Sequence, residues 1–174
     1  TLNKTALNLV TGASESLVAT ISPSNATNKN VEWTSSNTNV ATVDTTGKVK
    51  AISTGSAIIT VKTKDGAKVA TCNVTVKNPV ISVTGVTLNK TALNLVTGAS
   101  ESLVATISPS NATNKNVEWT SSNTNVATVD TTGKVTGVSA GSATITVKTK
   151  DGAKVATCNV TVKNPVISAN ENKL

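Results

Sequence analysis

The chain has 174 residues and a net charge of +7, carried by 16 lysines with no arginine. It has two tryptophans and two cysteines, and no histidine, phenylalanine, tyrosine or methionine. Nucleic-acid binding is not expected without arginine forks or aromatic stacking platforms, nor is membrane insertion, because no apolar run approaches the ~20 residues of a spanning helix.

Taken from the start, Thr5 to Val10 alternates, with Leu7 and Leu9 on one face, the mark of a half-buried strand. Thr11-Gly12-Ala13-Ser14 is a turn. A strand is expected over Glu15 to Ser22 with Leu17, Ala19 and Ile21 inward, followed by a polar loop from Pro23 to Asn30. Val31 to Ser35 reads as the central strand, with Val31, Trp33 and Ser35 on one face. Short strands follow at Val40 to Asp44 and Lys48 to Ser53, separated by the turn Thr45-Thr46-Gly47. Ser56 to Lys64 places Ala57, Ile59, Val61 and Thr63 inside. Asp65-Gly66 is a two-residue hairpin signal. Lys68 to Lys77 returns with Ala70, Cys72, Val74 and Val76 on its apolar face.

Residues 1–82 then recur as 87–168 without a gap, a period of 86. Five positions differ: Lys50/Thr136, Ala51/Gly137, Ile52/Val138, Thr54/Ala140 and Ile58/Thr144. A repeat this long is a whole domain, since solenoid units run to about 20–50 residues. Pro79 should end the last strand of the first copy, and Val83 to Val86 should open the first strand of the second. The first copy lacks that lead-in, so its first strand is expected to be clipped. The expected domains are 1–80 and 81–168, followed by a polar tail at 169–174. Short strands with turns every 8–12 residues or so point to an all-β antiparallel sandwich of seven or eight strands per copy. No secretory leader is recognisable and the first residue is not methionine, so the chain reads as a monomeric fragment of a longer multi-repeat protein.

The runs Val31-Glu32-Trp33-Thr34-Ser35-Ser36-Asn37, Val40-Ala41-Thr42-Val43-Asp44, Gly47-Lys48-Val49 and Gly55-Ser56-Ala57-Ile58-Ile59-Thr60-Val61 resemble the bacterial immunoglobulin-like domain, group 2. So does the ending Ala70-Thr71-Cys72-Asn73-Val74-Thr75-Val76. The resemblance covers both copies. It implies two tandem immunoglobulin-like sandwiches of the kind found in intimin- and invasin-like adhesins, with similar modules in surface-layer proteins, phage tail proteins and secreted glycosidases. It carries no catalytic motif, and it implies an extracellular or bacterial-surface location.

Candidate functional residues are few. Trp33 and Trp119 read as core plugs rather than sugar platforms, because strand parity turns them inward. Cys72 and Cys158, one per copy among inward residues, read as free buried thiols. Glu32, Asp44 and Asp65, with Glu118, Asp130 and Asp151, are scattered singly, whereas calcium draws on six to eight converging oxygens, so turn capping is expected and neither a metal nor a cofactor is. Lys62, Lys64 and Lys68, with Lys148, Lys150 and Lys154, are expected on the outer face of the Asp65-Gly66 hairpin and its repeat. A lysine-rich face ordinarily keeps strands soluble; here it is also the candidate contact for an anionic cell-wall glycan or a host surface molecule. Catalysis is not expected in a chain without histidine. The expected function is therefore a structural spacer and adhesion module. The alternatives are a carbohydrate- or wall-binding module of a larger protein, and a phage tail or virion accessory domain.

Overall fold

The computed structural model describes residues 1–166; the predicted polar tail, 169–174, lies outside them. The chain divides into two compact units, the first Thr1–Pro79 and the second beginning at Val80. Unit 1 has seven strands: β1 (Ala6–Val10), β2 (Ser14–Ser16), β3 (Val31–Ser35), β4 (Ala41–Val43), β5 (Lys48–Ala51), β6 (Gly55–Thr63) and β7 (Val69–Lys77). They form a four-stranded sheet in the order β1-β7-β6-β3 and a three-stranded sheet in the order β2-β5-β4. The pairing is antiparallel except that β1 runs parallel to β7, with Leu7 opposite Val74 and Leu9 opposite Val76.

Alternation decides what each sheet buries. Leu7 and Leu9 of β1, Ala57, Ile59 and Val61 of β6, and Cys72, Val74 and Val76 of β7 turn inward from the larger sheet. Leu17, Val40, Ala41, Val49 and Ala51 meet them from the smaller. Intervening residues face water, Ile58 among them at 45% exposure. That explains why threonine replaces it at position 144 of unit 2. At this site the side chain leaves the packing of the core unchanged.

Unit 2 repeats both sheets. β9 (Ala92–Val96), β12 (Val117–Ser121), β15 (Gly141–Thr149) and β16 (Val155–Lys163) form the larger, and β10 (Ser100–Ser102), β13 (Ala127–Val129) and β14 (Lys134–Gly137) the smaller. It adds two strands, β8 (Gly85–Leu88) and β11 (Ala105–Ser108), paired antiparallel with each other.

Three local features differ from the reading of the sequence. The strand expected over Glu15–Ser22 is broken at Leu17. There the chain leaves the small sheet, Leu17 N donating to Gly47 O and Val18 N to the Asn3 side chain. Val31–Ser35 is an edge strand rather than a central one, since β3 pairs only with β6. Trp33 accordingly is half-buried, packed against the core instead of enclosed by it. The Asp65-Gly66 hairpin is a four-residue loop, 64–67, closed by Thr63 N donating to Lys68 O at 2.9 Å. Thr63 Oγ1 organises it by donating to Asp65 O and accepting from Lys68 N, and Ala67 takes a positive φ of 49°.

The β4–β5 turn shows why its residues are there. Asp44 Oδ1 accepts from Thr46 N at 2.8 Å, Thr46 Oγ1 at 2.6 Å and Lys48 N at 3.0 Å. The Thr46 hydroxyl foremost, then the Lys48 amide, hold the exposed Asp44 carboxyl below its ordinary value of 3.8. Gly47 follows with φ +85°, and a Cβ there would lie 2.8 Å from Trp33 Cζ2 and 2.5 Å from Leu17 O. The indole of β3 thus rests on the turn of the opposite sheet, and only glycine lets it approach. Unit 2 reproduces the contact between Gly133 and Trp119.

Two outcomes are expected. Gly47→Ala, which combines a left-handed backbone with a clash, should destabilise unit 1 by about 2 kcal/mol or more. The fluorescence of Trp33 in a Trp119→Phe background, followed through urea unfolding, would measure it. Because the folded pKa of Asp44 is depressed, its contribution is present above pH ~4 and disappears as pH falls through the lowered folded value. The stability gap between the wild type and Asp44→Ala should therefore be open at pH 6 and close towards pH 2.

Candidate functional site

The lysines singled out in the sequence lie around the β6–β7 loop, and strand register decides where each points. Lys62 alternates outward between inward Val61 and Thr63, opposite Val69 on β7 and Glu32 on β3. Directly opposed residues share a face, so Lys62 stands beside an acidic Glu32 and an exposed Val69, which weakens the positive field of this face. Lys64 opens the loop, tied down by its amide to Asn30 O at 2.9 Å.

Lys68 stands apart from these two. Its backbone pairs with Thr63, whose side chain turns inward, so Lys68 leaves the sheet on the core-side face. There it lines an open groove with Thr63, Asp65 and Val61. Unit 2 repeats the division. Lys148 is opposite Glu118 and Val155, Lys150 is anchored to Asn116 O, and Lys154 folds back over Gly152. The structure therefore brings Lys62 with Lys64, and Lys148 with Lys150, to the outer face. It sends Lys68 and Lys154 to the other side, because each stands opposite an inward threonine, Thr63 or Thr149, and shares the parity of the inward residues of its strand.

The other candidates are absorbed by the fold. Cys72 and Cys158 are free and fully buried. Burial pushes each thiol above its ordinary value, opposed by the charge of Lys4 or Lys90. A thiol so held is a poor nucleophile. Asp44 and Asp130 cap turns, and Glu15 and Glu101 pair with Lys4 and Lys90. Among the described residues no three metal-ligating side chains converge, and no buried side-chain polar atom lacks a partner.

One role escaped the reading of the sequence. Asp151 Oδ2 accepts the Val83 amide at 2.8 Å, which fastens the lead-in strand to unit 2. Asp151 and its counterpart Asp65 look from the sequence like ordinary loop residues. The acceptor role becomes visible only when the lead-in is seen lying alongside.

Comparison with known proteins places this geometry. The family model of the bacterial Ig-like domain (group 2) matches residues 1–74 and 82–160. An Ig-like virion protein of Serratia phage KSP90 is 41% identical over 154 residues, 87% of this chain and 59% of that protein. An uncharacterised protein of Clostridium acetobutylicum is 36% identical over 94% of this chain, which spans 17% of it. A kappa-carrageenase of Pseudoalteromonas carrageenovora is 42% identical over 85 residues, 49% of this chain and 21% of the enzyme. The chain is therefore shorter than each of these relatives, and what it shares with the carrageenase is a module of about one unit. Two sandwiches that each set an indole against a turn glycine, matched by one family model at both copies, make the chain a tandem member of the bacterial Ig-like domain family, group 2.

Proposed function

We propose that the chain is a non-catalytic structural and adhesion module of a bacterial surface or secreted protein. It serves as a stalk that spaces a partner domain from a surface and touches anionic wall polymer through its outer lysines. The observation that carries this reading is the duplication itself. Two units identical at all but five of 82 aligned positions supply length and repeated weak contacts, which a spacer and an avid surface binder both exploit. Chemistry in this module has no agent: histidine is absent from the chain, and the thiols are buried.

A second reading is a virion accessory domain, and the phage relative at 41% identity over most of this chain favours it. The two readings share a physical role, an Ig-like module presented outside the cell. They differ in the particle that carries it. The carrageenase relative supports a third use of the same module, next to an enzyme acting on polysaccharide.

Binding of the chain to teichoic-acid-type polymer and to neutral glycans, compared at low and at physiological salt, tests the adhesion reading. Exposed lysines act through charge screened over about 8 Å at physiological ionic strength. Binding to the anionic polymer should therefore fall severalfold with salt. It should fall about tenfold at low salt when Lys62, Lys64, Lys148 and Lys150 are changed to glutamate. Lys68→Glu with Lys154→Glu should have a smaller effect, because those two leave the outer face. No binding to any anionic polymer at low salt removes the adhesion part of the proposal. Salt-resistant binding to a neutral glycan would replace it with a specific carbohydrate site.

A further inference from the structure

The five positions at which the units differ are not spread evenly along the chain. Four of them, 50–52 and 54, fall in β5 and the turn that follows it, and their counterparts are 136–138 and 140. β5 is the middle strand of the smaller sheet, between β2 and β4. Val49 and Ala51 point into the core, so Lys48 and Lys50 point out. Register places Lys50 between Ser14 of β2 and Thr42 of β4. Directly opposed side chains share a face. Ser14, Thr42, Lys48 and Lys50 accordingly line one shallow cleft of about 380 Å³, with Asp44 at its end. The two lysines, two residues apart on one strand, have their Cα atoms about 7 Å from each other.

Unit 2 keeps this framework and loses the charge. Thr136 stands at the position of Lys50, between Ser100 and Thr128. The Thr136 and Ser100 hydroxyls bond to each other at 2.8 Å, so both are already engaged. Lys134 remains, with its amide on Asp130, and their side-chain charges cancel. In unit 1 the two charges of Lys48 and Lys50 face the one carboxylate of Asp44, which leaves a net +1. Oδ1 of that carboxylate is occupied by the Thr46 amide, the Thr46 hydroxyl and the Lys48 amide. Glu15 of β2 stands opposite core-facing Val49 and pairs with Lys4, so it lies on the other face of the sheet.

We propose that the outer face of the smaller sheet in unit 1 binds a tetrahedral oxyanion ester, a sulfate or phosphate group carried on a surface glycan polymer, and that unit 2 does not. Two ammonium groups on flexible stems close over the anion from β5. The Ser14 and Thr42 hydroxyls donate to it from the strands on either side. Hydrogen bonds from a charged donor to an anion are shorter and stronger than neutral ones, and lysine serves phosphate as a point charge. Donors rising from three strands suit a group with three or more oxygens, whereas a planar carboxylate presents only two. The cleft is open to solvent, so its attraction is weak and screened by salt. The site is separate from Lys62 and Lys64 of the larger sheet, whose surroundings both units share. One exchange of lysine for threonine thus gives the two copies different surfaces on the same fold.

The test is an amide chemical-shift titration of the isotope-labelled chain at neutral pH and low ionic strength, with inorganic phosphate, galactose 6-sulfate and acetate in turn. Phosphate, the sulfate ester or both should move the amides of Ser14, Thr42, Lys48 and Lys50 saturably at millimolar concentration. The tighter of the two identifies the ester. Acetate should bind about fivefold more weakly, and Ser100, Thr128, Lys134 and Thr136 should not move. Lys50→Thr should weaken the response of unit 1 about fivefold, the upper range for an exposed ion pair. Thr136→Lys should create the same response in unit 2. Each of these side chains already stands at the equivalent position of the other unit, so both variants keep the sheet. The proposal is overturned if neither phosphate nor the sulfate ester moves the four amides, or if acetate acts as well as they do. It is equally overturned if the two wild-type units respond alike, or if either exchange leaves the responses unchanged.

Discussion

An indole ring lying on a glycine links the two sheets of each unit. Trp33 is the only aromatic residue in its unit, and it reaches from the edge strand of the larger sheet to the β4–β5 turn of the smaller. A side chain of that area can hold two sheets in register where valine and alanine alone leave a shallow core. Its approach requires a residue with no Cβ and a left-handed backbone, so Gly47 is constrained twice. The turn in which Gly47 sits is held by Asp44, whose carboxylate collects three donors. Cap, glycine and ring act as one device, and it is repeated atom for atom in character at Asp130, Gly133 and Trp119.

The duplication provides an internal comparison in which sequence is held almost constant and surroundings vary. Ala19 to Ser22 and Ala105 to Ser108 have the same residues, yet only the second is a strand. A β-strand is a property of a pair, because its backbone groups need partners in a ladder. β11 has β8 beside it, whereas its counterpart in unit 1 meets only Thr1 and Leu2. The same comparison shows how much burial the lead-in strand supplies in unit 2. Threonine, aspartate and alanine that are buried or half-buried in unit 2 gain exposure in unit 1.

Charge is arranged to solvate more than to concentrate. Lys4 and Lys90 are matched by glutamates, and Lys62 and Lys148 face Glu32 and Glu118 across the ladder. The proposed contact with an anionic polymer rests on the residual positive charge of the outer faces, a weak and salt-screened attraction of the kind that repetition strengthens. The division of the hairpin lysines between two sides limits how much any one patch can gather.

The sequence by itself determined the all-β class, the tandem repeat, the inward and outward faces of nearly every strand, and the burial of Cys72 and Cys158. These follow from period-two alternation and local turn chemistry, which act over a few residues. It also carried the family resemblance, since that rests on spacing along the chain. Only the tertiary structure decided that β3 is an edge strand and that Trp33 is half-buried against Gly47, whereas the place of Lys68 away from the face of Lys62 already follows from its sharing the parity of Ala70 and Cys72. The tertiary structure alone revealed Asp151 as the fastening of the lead-in strand. Each of these depends on which strand pairs with which. Such facts are set by contacts between residues distant in the chain, and no local pattern encodes them.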